Sequence, residues 1–309
     1  MNAAADGTGI GMDTAGFGVG GMDAAVDALG VAHAPAGEGA RIVSLVPSVT
    51  ELLLDLGLAA QVVGRTGFCI HPREAVRDIP KVGGTKDIDL ERVRALAPTH
   101  VLVNVDENPR DAVAAIAAMG VRVMVTHPVA VEDNRALYRL MGEVFGRRAQ
   151  AAALVQALDD ALAQASAVRE GRPMRSVLYA IWKDPWMTVA ADTYIARMLA
   201  AVGLEAADAA GGPARIGGRS GAARYPTFTL ADADWPRIDA LLLSSEPYRF
   251  GERHARELSA DPRMGGTAVA LVDGEMASWY GSRAIEGLRW MARFRVALDA
   301  MITARKGLA

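Results

Sequence analysis

Residues 41–58, RIVSLVPSVTELLLDLGL, are the stretch that decides the fold. The run at 41–46 is short, largely apolar and contains β-branched side chains, which predicts a strand. Residues 47–58 follow as a helix that ends at Gly57, because glycine readily adopts the backbone conformation that terminates helices. The stretch therefore predicts a strand that leads directly into a helix.

The same alternation of strand and helix continues on the C-terminal side of this stretch. Further strands are predicted at residues 61–66, 101–105 and 121–127, and the helices between and after them stop at Pro98 and Gly120. Buried strands that alternate with amphipathic helices are typical of a parallel sheet covered by helices.

Residues 131–169 interrupt this alternation with an almost continuous helical pattern. Within it, residues 147–169 predict one helix of about 20 residues, or about 30 Å, which is long enough to cross a domain. The strand–helix alternation then restarts. The elements predicted in that C-terminal half lie at residues 176–182, 193–204, 239–245, 268–273 and 284–305.

The predicted fold class is α/β, with two αβ lobes whose parallel sheets are joined by a single long α-helix and with a ligand cleft between the lobes. The chain has 309 residues, enough for each lobe to bury a core. The predicted units are a flexible Gly/Ala-rich tail at 1–40, an N-terminal lobe at 41–146, the connecting helix at 147–172 and a C-terminal lobe at 173–309.

Composition excludes several classes of protein. A net charge of −3 gives no electrostatic drive toward nucleic acid, and no apolar stretch reaches the length of a transmembrane segment. The single cysteine, Cys69, excludes an intrachain disulfide. Residues 1–40 lack the basic and apolar segments of a signal peptide, which favours a cytoplasmic protein.

Residues 41–58 and 80–104, PKVGGTKDIDLERVRALAPTHVLVN, resemble the N-terminal lobe of the periplasmic receptors for iron–siderophores and vitamin B12, the helical-backbone metal receptors. The resemblance extends over roughly residues 41–298 and is most specific in the PSVTE and DLERVRALAP segments. It implies a periplasmic, monomeric substrate-binding protein of an ABC-type importer rather than an enzyme. The implied ligand is a metal chelate, a corrinoid or a related small molecule.

The resemblance also implies docking to a permease through one surface glutamate on each lobe. Glu91 matches the first position, and Asp232 lies beside the second, which is Ala231 here. The alternative function is a cytoplasmic sensor, carrier or metal/thiol enzyme built on the same scaffold.

Ligands of open α/β sheets bind outside the carboxyl ends of the strands, so the residues that follow each predicted strand are the candidate ligand-binding residues. In the first lobe they are Ser48, Cys69, His71 and Glu107, and they are joined by Gly84, Thr85 and Lys86 in a bend just before the following helix. In the second lobe they are Trp182, Trp186, Tyr225, Glu246, Tyr248, Trp279, Tyr280 and Arg283. Lys86 and Arg283 suit capture of a carboxylate or phosphate, unless they are simply solvated charges.

The aromatic lining is expected to differ from that of the vitamin B12 receptors of the family. By the resemblance, Thr85 and Asn104 stand where those receptors have tryptophans, and Met187 stands near a phenylalanine. Tyr225 keeps an aromatic ring. The tryptophans expected to form a different wall, unless they are core residues, are Trp182, Trp186 and Trp279.

Cys69 and His71 form a candidate metal site, because a thiolate and an imidazole both bind soft or borderline metals. A metal ion or metal chelate is the only cofactor or ligand that this pattern suggests. Two alternatives stay open: a buried cysteine beside a histidine in a turn, and a cysteine nucleophile with a histidine base.

Overall fold

A computed structural model of the chain describes residues 25–217 and 224–307. Residues 25–40, which were predicted to belong to a flexible tail, are in contact with the first lobe. Asp27 is buried, accepts a hydrogen bond from the Val125 backbone N–H at 3.1 Å and pairs with His33 at 3.0 Å. The prediction of a free tail is therefore wrong for residues 25–40, because these contacts attach the segment to the first sheet. Residues 1–24 lie outside the described part.

The first lobe is built on a four-stranded parallel sheet in the order β2–β1–β3–β4. Its strands are β1 (Ile42–Ser44), β2 (Val62–Arg65), β3 (His100–Asn104) and β4 (Arg122–Thr126). β1 and β3 are buried along their whole length, as expected of central strands with both faces covered. The carboxyl ends of all these strands lie on one edge.

Helices cover both faces of this sheet and follow the strands in sequence. They are α1 (Pro47–Asp55), α2 (Arg73–Val76), α3 (Leu90–Ala95), α4 (Arg110–Ala117) and α5 (Asn134–Val144). The Asp89 side chain caps α3 by accepting a hydrogen bond from the Arg92 backbone N–H. α1 lacks such a side-chain cap, since Val46 stands at that position.

The second lobe repeats this architecture with a parallel sheet in the order β10–β9–β5–β7. Its strands are β5 (Arg175–Ala180), β7 (Leu204–Ala206), β9 (Ala240–Ser244) and β10 (Ala268–Val272). A short antiparallel pair, β6 (Trp186–Met187) and β8 (Thr227–Phe228), stands beside it. The helices are α7 (Tyr194–Ala201), α8 (Glu252–Ser259), α9 (Gly274–Ser278) and α10 (Arg283–Lys306).

A single helix of 22 residues, α6 (Arg148–Arg169), joins the two lobes. It packs against α5 of the first lobe and α10 of the second, and one continuous apolar core runs through both lobes along these helices. Separate apolar clusters cover the opposite face of each sheet. The predicted fold class, two αβ lobes with parallel sheets joined by a long helix, is confirmed.

Several short elements escaped prediction, and one of them matters for the site. The elements that were not predicted are α2, β6, β7, β8, α8 and α9, most of which are too short for a periodic apolar pattern to show. α9 begins where the Asp273 side chain accepts hydrogen bonds from the backbone N–H groups of Glu275 and Met276. It turns the chain directly after β10 and presents Ser278, at its end, toward the first lobe.

Candidate functional site between the lobes

A cavity of about 460 Å³ lies between the lobes, where the carboxyl ends of both parallel sheets meet. Its volume is within the range of small-molecule sites, roughly 300–1,000 Å³. The first lobe contributes Pro47, Ser48, Phe68, Ile70, Thr85, Asn104, Asp106, Glu107 and Pro128. The second lobe contributes Thr193, Tyr194, Ile195, Arg224, Tyr225, Glu246, Pro247, Glu275, Ser278, Trp279 and Tyr280.

The deepest polar contact across the cavity joins Tyr280 of the second lobe to Glu107 of the first. The Tyr280 hydroxyl donates a hydrogen bond to Glu107 Oε1 at 2.8 Å. Burial raises the pKa of Glu107 to about 7, an effect that this hydrogen bond and the charge of Lys86 only partly oppose. Burial and the adjacent carboxyl raise the pKa of Tyr280 as well, so the phenol stays protonated. We call this pair the cleft floor.

Ser48 lies beside the cleft floor in the first turn of α1. Its side chain is only 4% exposed, and its hydroxyl makes no hydrogen bond of normal length and angle within the described residues. Buried hydroxyls are usually paired, so an unpaired one on a cavity wall indicates a place for a partner that the chain does not supply.

Glu246 extends the acidic surface on the second-lobe wall. It follows β9, and its Oε1 accepts hydrogen bonds from Ser278 Oγ at 2.7 Å and Trp279 Nε1 at 3.0 Å. Burial raises the pKa of Glu246, while the Ser278 hydrogen bond lowers it. The same bonds fix the Trp279 ring, which is the only tryptophan among the described residues that lines the cavity.

Arg224 closes one side of the cavity with an ion pair between the lobes. Its Nη1 lies 2.7 Å from both carboxylate oxygens of Asp106 in the first lobe. His127 Nε2 approaches the same carboxylate at 3.4 Å. Arg224 was not among the predicted site residues, yet it is only 9% exposed, and contacts with the first lobe hold it at the cavity.

A second set of contacts between the lobes centres on Arg283, which does not line the cavity, and reaches the cavity wall only at Glu275. Its guanidinium forms a two-point hydrogen-bonded pair with Glu51 at 2.7 and 2.8 Å and lies 3.3 Å from Glu275. Glu275 also pairs with His71 at 3.0 Å. We call Arg283, Glu51, Glu275 and His71 the clasp. Arg283 and His71, both predicted to contact ligand, therefore form contacts between the two lobes in this structure.

Cys69 does not line the cavity. Its side chain is fully buried, and Sγ lies 3.0 Å from Thr50 Oγ1 and 3.1 Å from Thr66 Oγ1. Burial raises the pKa of the thiol, which disfavours the thiolate that metal ligation or nucleophilic attack needs. No group of three or more His, Cys, Asp or Glu side chains within residues 25–217 and 224–307 is arranged to hold a metal ion. Cys69 packs as a small core residue.

The predicted tryptophan wall does not form, because two of its members turn into the second lobe. Trp186 stacks on Phe250 with ring centroids 5.5 Å apart. Trp182 packs its edge on Tyr248 at 5.6 Å, and neither Trp182 nor Tyr248 lines the cavity. Trp186, Phe250 and Tyr248 belong to the outer apolar cluster of the sheet, whereas Trp182 stays exposed at its edge.

The predicted residues at 84–86 divide between lining and support. Thr85 lines the cavity, while Lys86 Nζ donates a hydrogen bond to the Asp106 backbone carbonyl at 2.7 Å. Gly84 packs against Asp87, where a Cβ would come within 2.2 Å of a carboxylate oxygen. Tyr225, which was also predicted, lines the cavity, and burial raises its pKa.

The candidate docking residues lie on exposed surface. The Glu91 side chain, on α3, is 79% exposed and pairs with Arg94 at 2.6 Å. Asp232 is exposed and accepts a hydrogen bond from Thr229 Oγ1 at 2.6 Å. Within the described residues, no helix is both long and apolar enough to cross a bilayer.

Comparison with known proteins associates the chain with binding proteins. The model of the family described as "Periplasmic binding protein" matches residues 42–235. The chain is 30% identical over 93 residues to a vitamin B12-binding protein of Photorhabdus laumondii, which is 30% of this chain and 34% of that protein. It is 29% identical over 110 residues to one of Yersinia pestis, 36% of this chain and 39% of that protein. The chain thus spans little more than a third of these relatives.

Solved structures share the fold over nearly their whole length. The periplasmic vitamin B12 binding protein BtuF of Vibrio cholerae superposes with a TM-score of 0.67 at 15% identity, covering 84% of this chain and 97% of that one. The periplasmic heme-binding protein RhuT of Roseiflexus sp. RS-1, in its apo form, gives 0.69 at 21% identity, covering 85% and 99%. At these identities the similarity establishes the two-lobed fold.

Proposed function

Because the chain belongs to the periplasmic binding protein family, we propose that it captures a metal chelate, a corrinoid or a related small molecule between its lobes and delivers it to an ABC-type importer. The observation that carries this proposal is the cavity of about 460 Å³, which both lobes line and which combines apolar walls with a few positioned polar groups. The absence of an activated nucleophile at Cys69 agrees with binding rather than catalysis.

The walls of the cavity suit a ligand with a large apolar face. Phe68 and Ile70 belong to the loop after β2, and both are well exposed although they line the cavity. Trp279 faces the cavity from the second lobe, held by its hydrogen bond to Glu246. Exposed apolar side chains at a cavity mouth favour contact with an apolar surface, and an aromatic ring adds a flat one.

The relatives support this ligand class by the names they carry. Both curated relatives are called vitamin B12-binding proteins, and the two solved structures are described as binding vitamin B12 and heme. Corrinoids and haem are metal complexes with large, nearly planar rings. Such a ring would match the apolar mouth and the single lining tryptophan.

Tight binding would need only modest closure of the lobes. α6 and α10 pack together along a continuous core, and such packing resists large bending. The Arg224–Asp106 pair and the cleft floor both bridge the lobes at the cavity itself. We expect these bridges to open and re-form as ligand enters and leaves.

The decisive experiment is ligand titration of the purified chain with cobalamin, cobinamide, haem and a ferric hydroxamate, read by thermal shift and calorimetry. Native mass spectrometry of freshly purified protein would find a ligand that copurifies. We expect at least one of these complexes to bind and to raise the unfolding temperature. No binding and no stabilisation by the whole panel would contradict the proposal.

A pair of tryptophan variants tests whether the ligand occupies the cavity. Trp279→Ala should weaken binding by about 30-fold, because a buried aromatic contact is worth about 2 kcal/mol. Trp182→Ala is the matched control, since its ring lies on Tyr248 and outside the cavity. Equal effects of the two substitutions would show that the ligand binds elsewhere.

Delivery to an importer is tested by reversing the charge at the candidate docking position. Glu91→Lys should reduce ligand uptake by cells that depend on this protein at least several-fold, because a positioned charge at an interface gives steering and register. Glu74→Lys is the control, as Glu74 also forms an exposed i,i+3 pair, with Arg77 at 2.8 Å. Ligand affinity in vitro should be unchanged in both. Equal uptake by the two variants would argue against docking through Glu91.

A further inference from the structure

The cavity has an unusual balance of charge. Four carboxylates line it, those of Asp106, Glu107, Glu246 and Glu275, against one guanidinium, that of Arg224. Arg224 is already engaged by Asp106 at 2.7 Å. The lining therefore carries more acidic than basic side chains.

The four carboxylates are not equally neutralised. Asp106 pairs with Arg224, and Glu275 pairs with Arg283 and His71. Throughout the described ranges, no lysine, arginine or histidine forms an ion pair with Glu107 or Glu246. Their hydrogen-bond donors are the neutral groups of Tyr280, Ser278 and Trp279. An enclosed carboxylate without a cation is costly unless something else supplies the donor.

Ser48 is an independent sign that a ligand group belongs at this place. Its hydroxyl is buried, belongs to the same lining as Glu107 and makes no hydrogen bond of normal length and angle within the described residues, although it acts on the Tyr280 phenol and lowers its pKa. It lies in the first turn of α1, a helix of nine residues without a side-chain cap. The uncapped backbone N–H groups at the start of α1 and the Ser48 hydroxyl can donate hydrogen bonds to an acceptor on the ligand. A ligand group that also carries an N–H next to that acceptor could donate to Glu107 at the same time. A primary amide carries both.

We propose that the cleft floor, together with the adjacent Ser48, is a specificity subsite that takes a neutral or cationic N–H-bearing group of the ligand, such as an amide or ammonium, and disfavours a ligand carboxylate. This inference rests on the proposed function, because it assumes that the cavity is the ligand site. It goes beyond that function by stating which peripheral groups the ligand carries where it meets Glu107.

The physical reason is differential pairing. An N–H group donates to the free acceptor sites of Glu107, whereas a carboxylate placed there would face two enclosed acidic groups, Glu107 and Glu246, with no free cation between them. The Lys86 charge acts on Glu107 from a distance, since its Nζ donates to the Asp106 carbonyl. Specificity of this kind comes as much from rejecting the wrong group as from binding the right one.

The same subsite gives binding a defined dependence on pH. The groups that act on Glu107 are Tyr280, Lys86, Asp106 and Glu246, and the net result is a pKa of about 7. An N–H donor stabilises the ionised carboxyl, so its binding releases the Glu107 proton. Affinity should therefore rise as pH increases through about 7, and should fall by up to about tenfold per unit below it.

The test compares metal macrocycles that differ only in their peripheral groups. Haem, with two carboxylates, is matched to its diamide, and cobinamide, with amide side chains, is matched to cobyrinic acid, in which those side chains are carboxylates. Calorimetry gives the affinity ratio of amide to carboxylate form for the ring that binds. We expect the wild-type protein to prefer the amide form at least tenfold and Glu107→Gln to reduce the preference to less than about threefold.

Controls separate this inference from the proposed function. Glu74→Gln makes the same change on exposed surface and should keep the wild-type ratio. If a ring binds but Glu107→Gln also keeps that ratio, or the carboxylate form binds as tightly as the amide form, the inference is overturned while the proposed function stands. If neither pair nor any other complex binds, both fail. Should Glu107→Gln fold poorly, the rise of amide-ligand affinity between pH 6 and 8 in the wild-type protein decides the matter, and a flat profile overturns the inference.

Discussion

The clasp and the cleft floor both cross between the lobes, yet they treat charge in opposite ways. In the clasp, Arg283 meets Glu51 through two hydrogen bonds and approaches Glu275, so every carboxylate has a cation. In the cleft floor, Glu107 receives a neutral phenol and has no ion-pair partner among the residues described. A carboxylate that is paired with a cation needs no ligand to balance its charge. A carboxylate in a cavity without such a cation still has room for a ligand group that does so. The difference separates structural joints from ligand contacts.

Their positions agree with this division. The clasp lies where α1 approaches the start of α10, and its Arg283 and Glu51 side chains are 12% and 13% exposed. The cleft floor opens into the cavity, which both lobes line. Burial raises the pKa of Glu107 to about 7 in the cleft floor, which shows how strongly the surroundings there disfavour its charge.

Breaking the clasp should have the largest effect on stability. Arg283→Ala leaves Glu51 and Glu275 enclosed without their shared cation, and removing one partner of a largely buried pair costs about 3 kcal/mol. Urea unfolding followed by circular dichroism would measure that loss in the free energy of unfolding. Arg77→Ala is the control, because its pair with Glu74 is exposed and should contribute little. A loss no larger than that of Arg77→Ala would remove the distinction between clasp and surface pairs.

The fold was predictable because its signals are local and repeated. In strand–helix units such as residues 41–58, the local sequence pattern is enough to predict both elements. Parallel strands then place their carboxyl ends on the same edge of the sheet. That rule located Ser48 and Glu107, each of which follows a strand and lines the cavity. Thr85, which also lines the cavity, was predicted from the bend that precedes α3. The same rule located Glu246, Trp279 and Tyr280 in the second lobe.

The direction of a side chain was not predictable by the same rule. Trp182 and Trp186 also follow a strand, but they turn to Tyr248 and Phe250. Trp186 thereby covers part of the apolar face of the second sheet, whereas Trp182 remains exposed. Arg283 lies 232 positions from Glu51 in the sequence, and no local pattern in either segment predicts that the two side chains pair. Charges that look free in a sequence can be neutralised by tertiary contacts, which only the assembled fold reveals.

A smaller effect, with a distinctive dependence on pH, is expected when the cleft floor loses its phenol. Tyr280→Phe removes the donor to Glu107, which costs about 1 kcal/mol when that carboxyl is neutral and about 2 kcal/mol when it is ionised.

Because burial already raises the folded-state pKa of Glu107 to about 7, the contribution of Glu107 to the wild-type free energy of unfolding should fall between about pH 4.5 and 7, as the unfolded chain ionises first. The phenol holds that folded-state pKa down, so in Tyr280→Phe the fall should extend to higher pH. Urea unfolding at pH 5.5 and 8.5 measures the difference. Tyr138→Phe is the control, since its buried hydroxyl donates to the Gly281 carbonyl and should cost the same at both pH values. If Tyr280→Phe lowers the free energy of unfolding by the same amount at both pH values, Glu107 does not ionise in this range. The cleft floor would then carry no net charge, and its contrast with the clasp would be lost.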